Sequence, residues 1–463
     1  MPPENKYNFD GLKWVIILIA PLLLYSFWSF EAYTSIGVGI FIFFCFQFFL
    51  NLGRKIEIRD IVILIASLQW IIGPILAYRY LPDKFMYSMA VPEHEYMSFV
   101  VPGVIFYIAG LYLPFYKTEL KHDTIKVYTR ELLQKYPNLD IFLILTGIIS
   151  GYVSRFFPSS LGFIFFLLSS VQYVGLFYLL LSKRKKKIMY VLFVLGSLVL
   201  SSVRQAMFSN TVLWLIFSLI VFSFIFEFSF KKKLIIVTCC LLAIYSLQVV
   251  KQQYRRLAWG GNVSSYEGSK LLTKMMLENY SQDKSELMKN YANYMLITRI
   301  NQGWIIARIM KRVPEKEPFA NGETIKRSIL DSCVPRFLSP DKLQAGGAEY
   351  FSRFVGRKLA GTSMDLSVIG EAYANYGKGG GIVFMFFMGL LYNFILFFIY
   401  RAAKKNPSIF LWLPILFLFA IKAETGFYMV FNHLVKASVF LIIFFKIFNI
   451  IYKHHTMDSE DGR

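Results

Sequence analysis

Charged residues are scarce in this sequence: Asp, Glu, Lys and Arg make up 17% of its 463 residues, against about 25% in a typical soluble domain. Hydrophobic residues account for 56%, with 47 Phe and 29 Tyr. They stand in long runs that recur from residue 13 to residue 452, and a run of about 20 such residues crosses a bilayer as a helix. The composition excludes a large soluble domain and predicts an all-α polytopic membrane protein.

Cysteine is also scarce. The four cysteines form no Cys-x-x-Cys pair and no Cys/His metal spacing, and three of them fall within apolar runs. This spacing argues against a disulfide framework and against a structural zinc site. A cleavable signal is lacking as well, because no small-x-small site follows the apolar residues 14–30. We therefore expect the first helix to remain as an anchor.

Length and hydropathy predict about twelve transmembrane helices. They lie near residues 13–31, 34–52, 61–80, 98–116, 139–157, 160–182, 187–204, 209–230, 234–252, 380–401, 408–430 and 433–452. The chain then divides into spans one to nine (1–252), a segment without a crossing run (253–379), spans ten to twelve (380–452) and a tail (453–463).

Basic residues collect in alternate short loops, which indicates how the chain is oriented. The basic loops include Arg54 to Arg59, Lys183 to Lys187, Lys231 to Lys233, and Arg401 to Lys405, whereas loop 81–97 holds Lys84 as its one lysine. Because basic loops stay in the cytoplasm, both termini are predicted to be cytoplasmic. The net charge of +21 then has a source in these loops, and we do not expect nucleic-acid binding.

The segment 253–379 is predicted to lie outside the cytoplasm as a helical cap on the membrane surface. Apolar residues recur in it at helical spacing, as at Leu296, Ile300 and Trp304. The cap is also rich in Arg and Lys, and guanidinium groups bind phosphates in bidentate geometry. The alternative interpretation is attraction to anionic lipid headgroups, worth about 1 kcal/mol per basic residue. For the basic residues of the cap taken together, phosphate binding and lipid attraction both remain open.

Several ionisable residues are predicted at one depth near the outer leaflet. Arg204 ends span seven, where a charge within the bilayer costs about 2.5–3.5 kcal/mol unless the side chain snorkels. Lys422 and Glu424 fall in span eleven, and His433 near the start of span twelve. Their common depth suggests a lined cavity, with a self-neutralising Lys–Glu pair as the alternative. Close in sequence to span ten, Glu371 and Asp365 are candidates to deprotonate a sugar hydroxyl.

The predicted outer loops contain few sequence motifs that could bind a metal ion. They contain no Asp-x-Asp motif, and the candidate that remains is Glu93-His94-Glu95. Three adjacent ligands can hold a hard cation, but a solvated loop is the preferred interpretation. We therefore predict chemistry that uses no metal and no cofactor.

Three features now give the sequence a resemblance to a known family. The first is the layout, with a large outer loop before the last three spans, and the second is Ser202-Val203-Arg204 between two central helices. The third is a tract with Val334-Pro335-Arg336, Pro340-Asp341-Lys342, Thr362-Ser363 and Gly370-Glu371-Ala372-Tyr373-Ala374-Asn375-Tyr376-Gly377. Together they resemble the Wzy family of O-antigen and capsule repeat-unit polymerases.

The resemblance implies a GT-C-like glycosyltransferase in the bacterial plasma (inner) membrane. Such an enzyme transfers a growing glycan from undecaprenyl pyrophosphate to a second lipid-linked oligosaccharide on the outer face, and Arg or Lys side chains stabilise the leaving pyrophosphate without a metal. The expected partners besides the substrate are membrane lipids, a chain-length regulator and a flippase. The residues assigned to catalysis are Glu371, Arg204, Asp365, Glu424 and His433, and those assigned to pyrophosphate or glycan binding are Arg336, Lys342, Arg353, Arg357, Tyr373 and Asn375.

Two alternatives stay open. An O-antigen ligase of the same superfamily shares the layout and passes the glycan to a lipid A core; the Gly-Glu-x-Tyr-x-Asn tract favours the polymerase, whereas His433 favours the ligase. A non-enzymatic flippase or transporter of the lipid-linked glycan is the other. Transporters usually contain internal repeats with paired broken helices, and the sequence indicates neither.

Overall fold

The computed structural model describes residues 31–114, 122–260, 265–281, 286–334, 342–343, 346–359 and 363–460. In these ranges the regular secondary structure is helical. Ten of the described helices are long and apolar enough to cross a membrane, so the chain is a helical multi-pass membrane protein. They correspond to predicted spans two to ten and twelve, and predicted span one (13–31) lies outside the described residues apart from its last position.

The membrane-spanning helices before the cap follow the predicted boundaries within a few residues. They are α1 Ala32–Asn51, α2 Ile58–Tyr80, α3 Glu93–Tyr112, α5 Leu139–Val153 (extended by a 3-10 turn to Phe156), α6 Gly162–Leu181, α7 Lys187–Gln205, α8 Ser209–Phe226 and α9 Phe230–Gly260, with the polar α4 His122–Lys135 between α3 and α5. Helix α9 continues past residue 252, where the predicted cap begins, so the first turns of the cap segment extend a spanning helix.

Five shorter helices make up the middle segment. They are α10 Ser265–Ser281, α11 Glu286–Ile300, α12 Gly303–Arg312, α13 Glu323–Cys333 and α14 Ala348–Val355. The link between α11 and α12 inserts into the spanning bundle, because the Gln302 backbone N–H donates to the Gln69 carbonyl at 3.1 Å. The Gln69 carbonyl is available since α2 contains a π-helical turn at Leu68–Ile72, where the normal helical hydrogen bonds are interrupted.

Helix α15, Val368–Ala403, begins well before predicted span ten and is broken inside. Ser367 caps its start, with its hydroxyl accepting from the Gly370 N–H at 3.2 Å. At Gly377 the backbone leaves the helical region, with φ 67° and ψ −164°, a conformation that glycine adopts without steric cost. The Gly370–Tyr376 tract therefore forms a short helical segment of its own, ahead of the part that crosses the membrane.

Predicted span eleven is not one helix. A 3-10 helix, Pro407–Trp412, leads into the short α16, Leu413–Phe417, and residues 418–426 then form turns before α17, Phe427–Glu460. The physical reason is the polar sequence from Lys422 to Thr425, because the Thr425 hydroxyl donates to the Lys422 carbonyl at 2.6 Å and closes a turn. We call residues 418–426 the re-entrant turn, because the chain folds back there so that α16 packs against α17.

Close helix packing fixes α15 against α3. A Cβ added to Gly110 would collide with the Phe386 carbonyl, and one added to Gly389 would collide with the Tyr107 carbonyl. Small residues allow such an approach between membrane helices. Asn393 then reaches α3 and donates from Nδ2 to the Leu113 carbonyl at 2.7 Å. This rigid pair sets the position of the short segment that carries Glu371.

Candidate functional site

Four basic side chains from three elements converge where the re-entrant turn meets the cap. Lys251 and Arg255 lie one helical turn apart on α9, Arg299 lies near the end of α11, and Lys422 lies in the re-entrant turn. Lys251 is within electrostatic range of Arg255, Arg299 and Glu424, and Lys422 is within range of Glu424 and Arg299. We call these four residues the basic cluster.

Glu424 is the carboxylate in contact with this cluster. Its Oε2 lies 3.4 Å from Arg299 Nη1, and its side chain is 29% exposed. Lys422 donates from Nζ to Asn210 Oδ1 at 2.9 Å and lies 4.6 Å above the Phe419 ring. One acidic group thus contacts Arg299 and lies within electrostatic range of Lys251 and Lys422. The cluster has four basic residues for this one carboxylate, and such an imbalance favours an additional anion at the site because like charges in a low dielectric repel one another.

Lys251 belongs to the site although the sequence did not single it out. It is only 8% exposed and was assigned to the end of predicted span nine. Its spacing of four residues from Arg255 places both on the same face of α9. That spacing, at the end of an apolar run and opposite other basic residues, is the signal that could have identified it.

Glu371 and Asn375, both predicted site residues, are brought together with Thr324. The Thr324 hydroxyl donates to Glu371 Oε1 at 2.8 Å and accepts from Asn375 Nδ2 at 2.7 Å. The Phe427 backbone N–H donates to Glu371 Oε2 at 2.9 Å. Glu371 is 1% exposed and both its oxygens are engaged, so these contacts position neighbouring elements rather than present a carboxylate to a cavity.

Asn375 extends the same network to the loop before α13. Its Oδ1 accepts from the Gly322 N–H at 3.0 Å, and its carbonyl accepts from the Asn321 N–H at 3.0 Å. That carbonyl is free to do so because the helix breaks at Gly377, two residues later. The network therefore joins the segment 368–376, the loop at 320–324 and the start of α17.

Asp365 lies between this network and the basic cluster. Its Oδ1 accepts from the Leu366 N–H at 3.0 Å, and its carbonyl accepts from Gln302 Nε2 at 3.0 Å. Burial raises the pKa of the Asp365 carboxyl, and the nearby Glu424 raises it further. The three predicted acids are thus close neighbours: Asp365 lies within electrostatic range of Glu424 and of Glu371.

Other predicted residues are bound elsewhere in the cap. Arg353 forms ion pairs with Glu317 at 2.7 Å and Glu323 at 3.1 Å, and these bonds raise the pKa of Arg353. Lys342 is buried and donates to the Val334 carbonyl at 2.5 Å. These two basic residues are therefore engaged within the cap.

Two further predicted residues fall outside the network. Tyr373 packs its ring at 5.0 Å from the ring of Phe99, an aromatic contact within the helix bundle. Arg336 lies outside the described residues.

Arg204 and His433 differ in how they relate to the cluster. Arg204 is exposed at the end of α7, two residues before Ala206, whose carbonyl accepts from Arg255 Nε at 2.9 Å. The His433 ring is buried, and its Nε2 lies 2.8 Å from the Ile415 carbonyl. Three phenylalanine rings surround it, those of Phe163, Phe166 and Phe419. Arg204 thus borders the cluster, whereas His433 sits in an aromatic core with Lys422 in electrostatic range.

Within the described ranges, no group of three or more His, Cys, Asp or Glu side chains is arranged to hold a metal ion. The triplet Glu93-His94-Glu95, expected in a solvated loop, forms the first turn of α3, and its Glu93 and His94 bond to α1 and to the residue before α1. Glu93 accepts from Thr34 at 2.8 Å, and His94 pairs with Glu31 at 3.0 Å.

Comparison with known proteins gives one match. A family described as a domain of unknown function, DUF8712, matches residues 98–451, which is well over half of the chain, so the chain belongs to that family. The matched region contains the basic cluster, the re-entrant turn and the Glu371 network. No curated protein matches the chain, and no solved structure does.

Proposed function

We propose that this protein is a polymerase that joins undecaprenyl-pyrophosphate-linked oligosaccharide repeat units. In this proposal it is a GT-C-type enzyme of about twelve spans in a bacterial plasma membrane, with cytoplasmic termini and the cap on the outer side. The observation that carries the proposal is the basic cluster around Glu424, which gathers four cations at the edge of the membrane-spanning bundle.

The chemistry of the transfer needs such a cluster. The acceptor hydroxyl oxygen forms a bond to the anomeric carbon, the bond from that carbon to the pyrophosphate oxygen breaks, and negative charge grows on the leaving group. Preorganised cations stabilise that charge in the transition state. Lys251 and Arg299 are the first choices for this role. Arg255, Lys422 and the bordering Arg204 are the second choices.

The hydroxyl proton requires a base, and Glu424 is the carboxylate that touches the cluster. Glu371, the first choice from the sequence, has both oxygens engaged by Thr324 and the Phe427 N–H. We therefore assign Glu371 to positioning: it holds the residue three positions after Glu424. Asp365 is the second choice for the base, since it lies next to Glu424.

A transport function has one observation in its favour. The sequence indicated no broken helices, but the described chain contains two, at Gly377 in α15 and at the re-entrant turn between α16 and α17. Paired discontinuous helices with charged residues near the break are typical of transporters. A flippase for the same lipid-linked glycan is therefore the second candidate function.

Deletion of the gene, followed by gel analysis of surface polysaccharide, tests the proposal. A single-repeat product in place of a long ladder is expected, and Arg299→Gln is expected not to restore the ladder. Lys274→Gln is the matched control, because Lys274 is 70% exposed and pairs with Glu278 in its own helix. Loss of all attached glycan, single repeats included, would exclude a polymerase and point to a flippase or ligase.

A further inference from the structure

A second concentration of positive charge lies on the cap, away from the basic cluster. Arg308 in α12 and Arg357 after α14 both donate to one acceptor, the Met86 carbonyl in the loop between α2 and α3. The distances are 3.2 Å from Arg308 Nη2 and 3.4 Å from Arg357 Nη1. Two guanidinium groups are thereby held side by side on a single neutral oxygen.

These two arginines lack the carboxylates that such a pair would need for neutrality. Neither forms an ion pair with any carboxylate in the described ranges, and the Arg308 Nε atom is buried there without a hydrogen-bond partner. Burial lowers the pKa of Arg308, and the adjacent Arg357 lowers it further. A buried donor left unpaired costs about 1–3 kcal/mol, so the arrangement is incomplete as it stands.

The neighbouring turn of the same two helices provides a direct contrast. Arg312, one turn after Arg308, donates from Nε to the Arg353 carbonyl at 3.0 Å. Arg353 in turn is paired with Glu317 and Glu323. Where α12 packs near α14, carboxylates of the chain thus neutralise Arg353, whereas none in the described ranges pairs with Arg308 or Arg357.

We propose that Arg308 and Arg357 form an oxyanion-binding site for a lipid phosphate group at the membrane surface. The guanidinium fork matches phosphate geometry, and Trp304, 5.8 Å below Arg308, fixes the position of that side chain. Two sources share this chemistry: the headgroup of a bulk anionic phospholipid, and the pyrophosphate of a lipid-linked oligosaccharide. The site is independent of the polymerase assignment, since it rests on the arginine pair alone.

Binding of inorganic pyrophosphate to the full-length protein in phosphatidylcholine nanodiscs tests the site. The measurement uses a Lys251→Gln, Arg299→Gln background, so that the basic cluster does not mask it. Adding Arg308→Gln and Arg357→Gln is expected to weaken the affinity by roughly tenfold or more. The matched control adds Lys311→Gln and Lys316→Gln, which removes the same charge from exposed positions on the same segment and is expected to leave the affinity within about twofold.

Nanodiscs that also contain phosphatidylglycerol separate the two sources. If the phospholipid is the natural ligand, it will occupy the arginine pair, and the difference between the two variants will disappear. If the difference persists, the site prefers pyrophosphate. Should the glutamine pair prevent folding, Arg308→Lys with Arg357→Lys keeps the charge and removes the fork, and is expected to weaken binding as well. Equal affinities of the arginine variant and its control in phosphatidylcholine would overturn the proposal, whatever the gel analysis of the polysaccharide shows.

Discussion

The Phe427 backbone N–H donates to Glu371 Oε2 at 2.9 Å, and this bond ties the first turn of α15 to the first turn of α17. The re-entrant turn ends at residue 426, immediately before Phe427. The buried Glu371 carboxylate therefore holds the end of this turn. Because Phe427 follows Glu424 by three residues, the same bond also restrains the carboxylate that contacts Arg299. The contact between Glu424 and Arg299 therefore depends on Glu371.

Replacing Glu371 by Ala should destabilise the protein. The change leaves the Phe427 N–H and the Thr324 hydroxyl without their acceptor in a buried site, at about 1–3 kcal/mol for each unsatisfied group. Thermal unfolding in detergent measures the effect. Glu349→Ala is the control, because Glu349 is 58% exposed in its pair with Arg327 and such surface pairs contribute about 0–1 kcal/mol. Equal melting temperatures for the two variants would show that the network does not hold the turn.

Gly377→Ala should also destabilise the protein, because residue 377 has a positive φ of 67° with an extended ψ, where an alanine is strained. The cost expected for such a backbone is about 1–3 kcal/mol. Gly379→Ala is a close control, since Gly379 is helical and a Cβ there would meet nothing within 4 Å. In that position alanine is expected to be neutral or stabilising by up to about 1 kcal/mol. A reversed order of melting temperatures would mean that the break at Gly377 is not part of the folded state.

Stability should fall as the pH rises through the titration of Asp365. Burial raises the pKa of its carboxyl in the folded protein above the ordinary value of 3.8, so the folded state binds the proton more tightly than the unfolded state. The contribution is therefore fully present below the unfolded pKa and is lost as the pH rises through the folded pKa. Asp365→Asn should flatten melting temperature against pH over that window, whereas Asp83→Asn in an exposed loop should follow the wild type. Parallel curves for all three proteins would contradict this.

The spanning helices could be predicted well because each depends on a local property, the length of an apolar run. The two failures have a common cause. At Gly377 and in the re-entrant turn, the chain leaves the helix inside a segment that is apolar on average. Hydropathy averaged over such a segment does not reveal the break. The triplet Gly379-Gly380-Gly381 lies within α15, whereas the single Gly377 before it carries the break.

The candidate site was predicted in part, and the reason is again physical. Residues Asp365, Glu371 and Asn375 stand near one another in sequence, and the structure keeps them near one another. Arg299 and Glu424 are far apart along the chain and meet only through the insertion of the α11–α12 link and the folding of the re-entrant turn. A single sequence contains no signal for that meeting. Conversely, Arg353 was expected to bind pyrophosphate, but it forms ion pairs with Glu317 and Glu323 instead.

Lys251→Met offers the clearest separation of stability from function. Lys251 is almost buried beside Arg255 and Arg299, so removing its charge relieves repulsion, and methionine has a similar length and flexibility. Replacing buried charges by apolar groups of similar volume is often neutral or stabilising by about 1–4 kcal/mol. The variant should therefore melt at the wild-type temperature or above, yet fail to restore the polysaccharide ladder in a deletion strain. Lys274→Met, at an exposed position, should change neither property. A Lys251→Met protein that loses stability and activity together would assign Lys251 a structural role as the partner of Glu424, and the basic cluster would then be an internal ion network with no anion to bind.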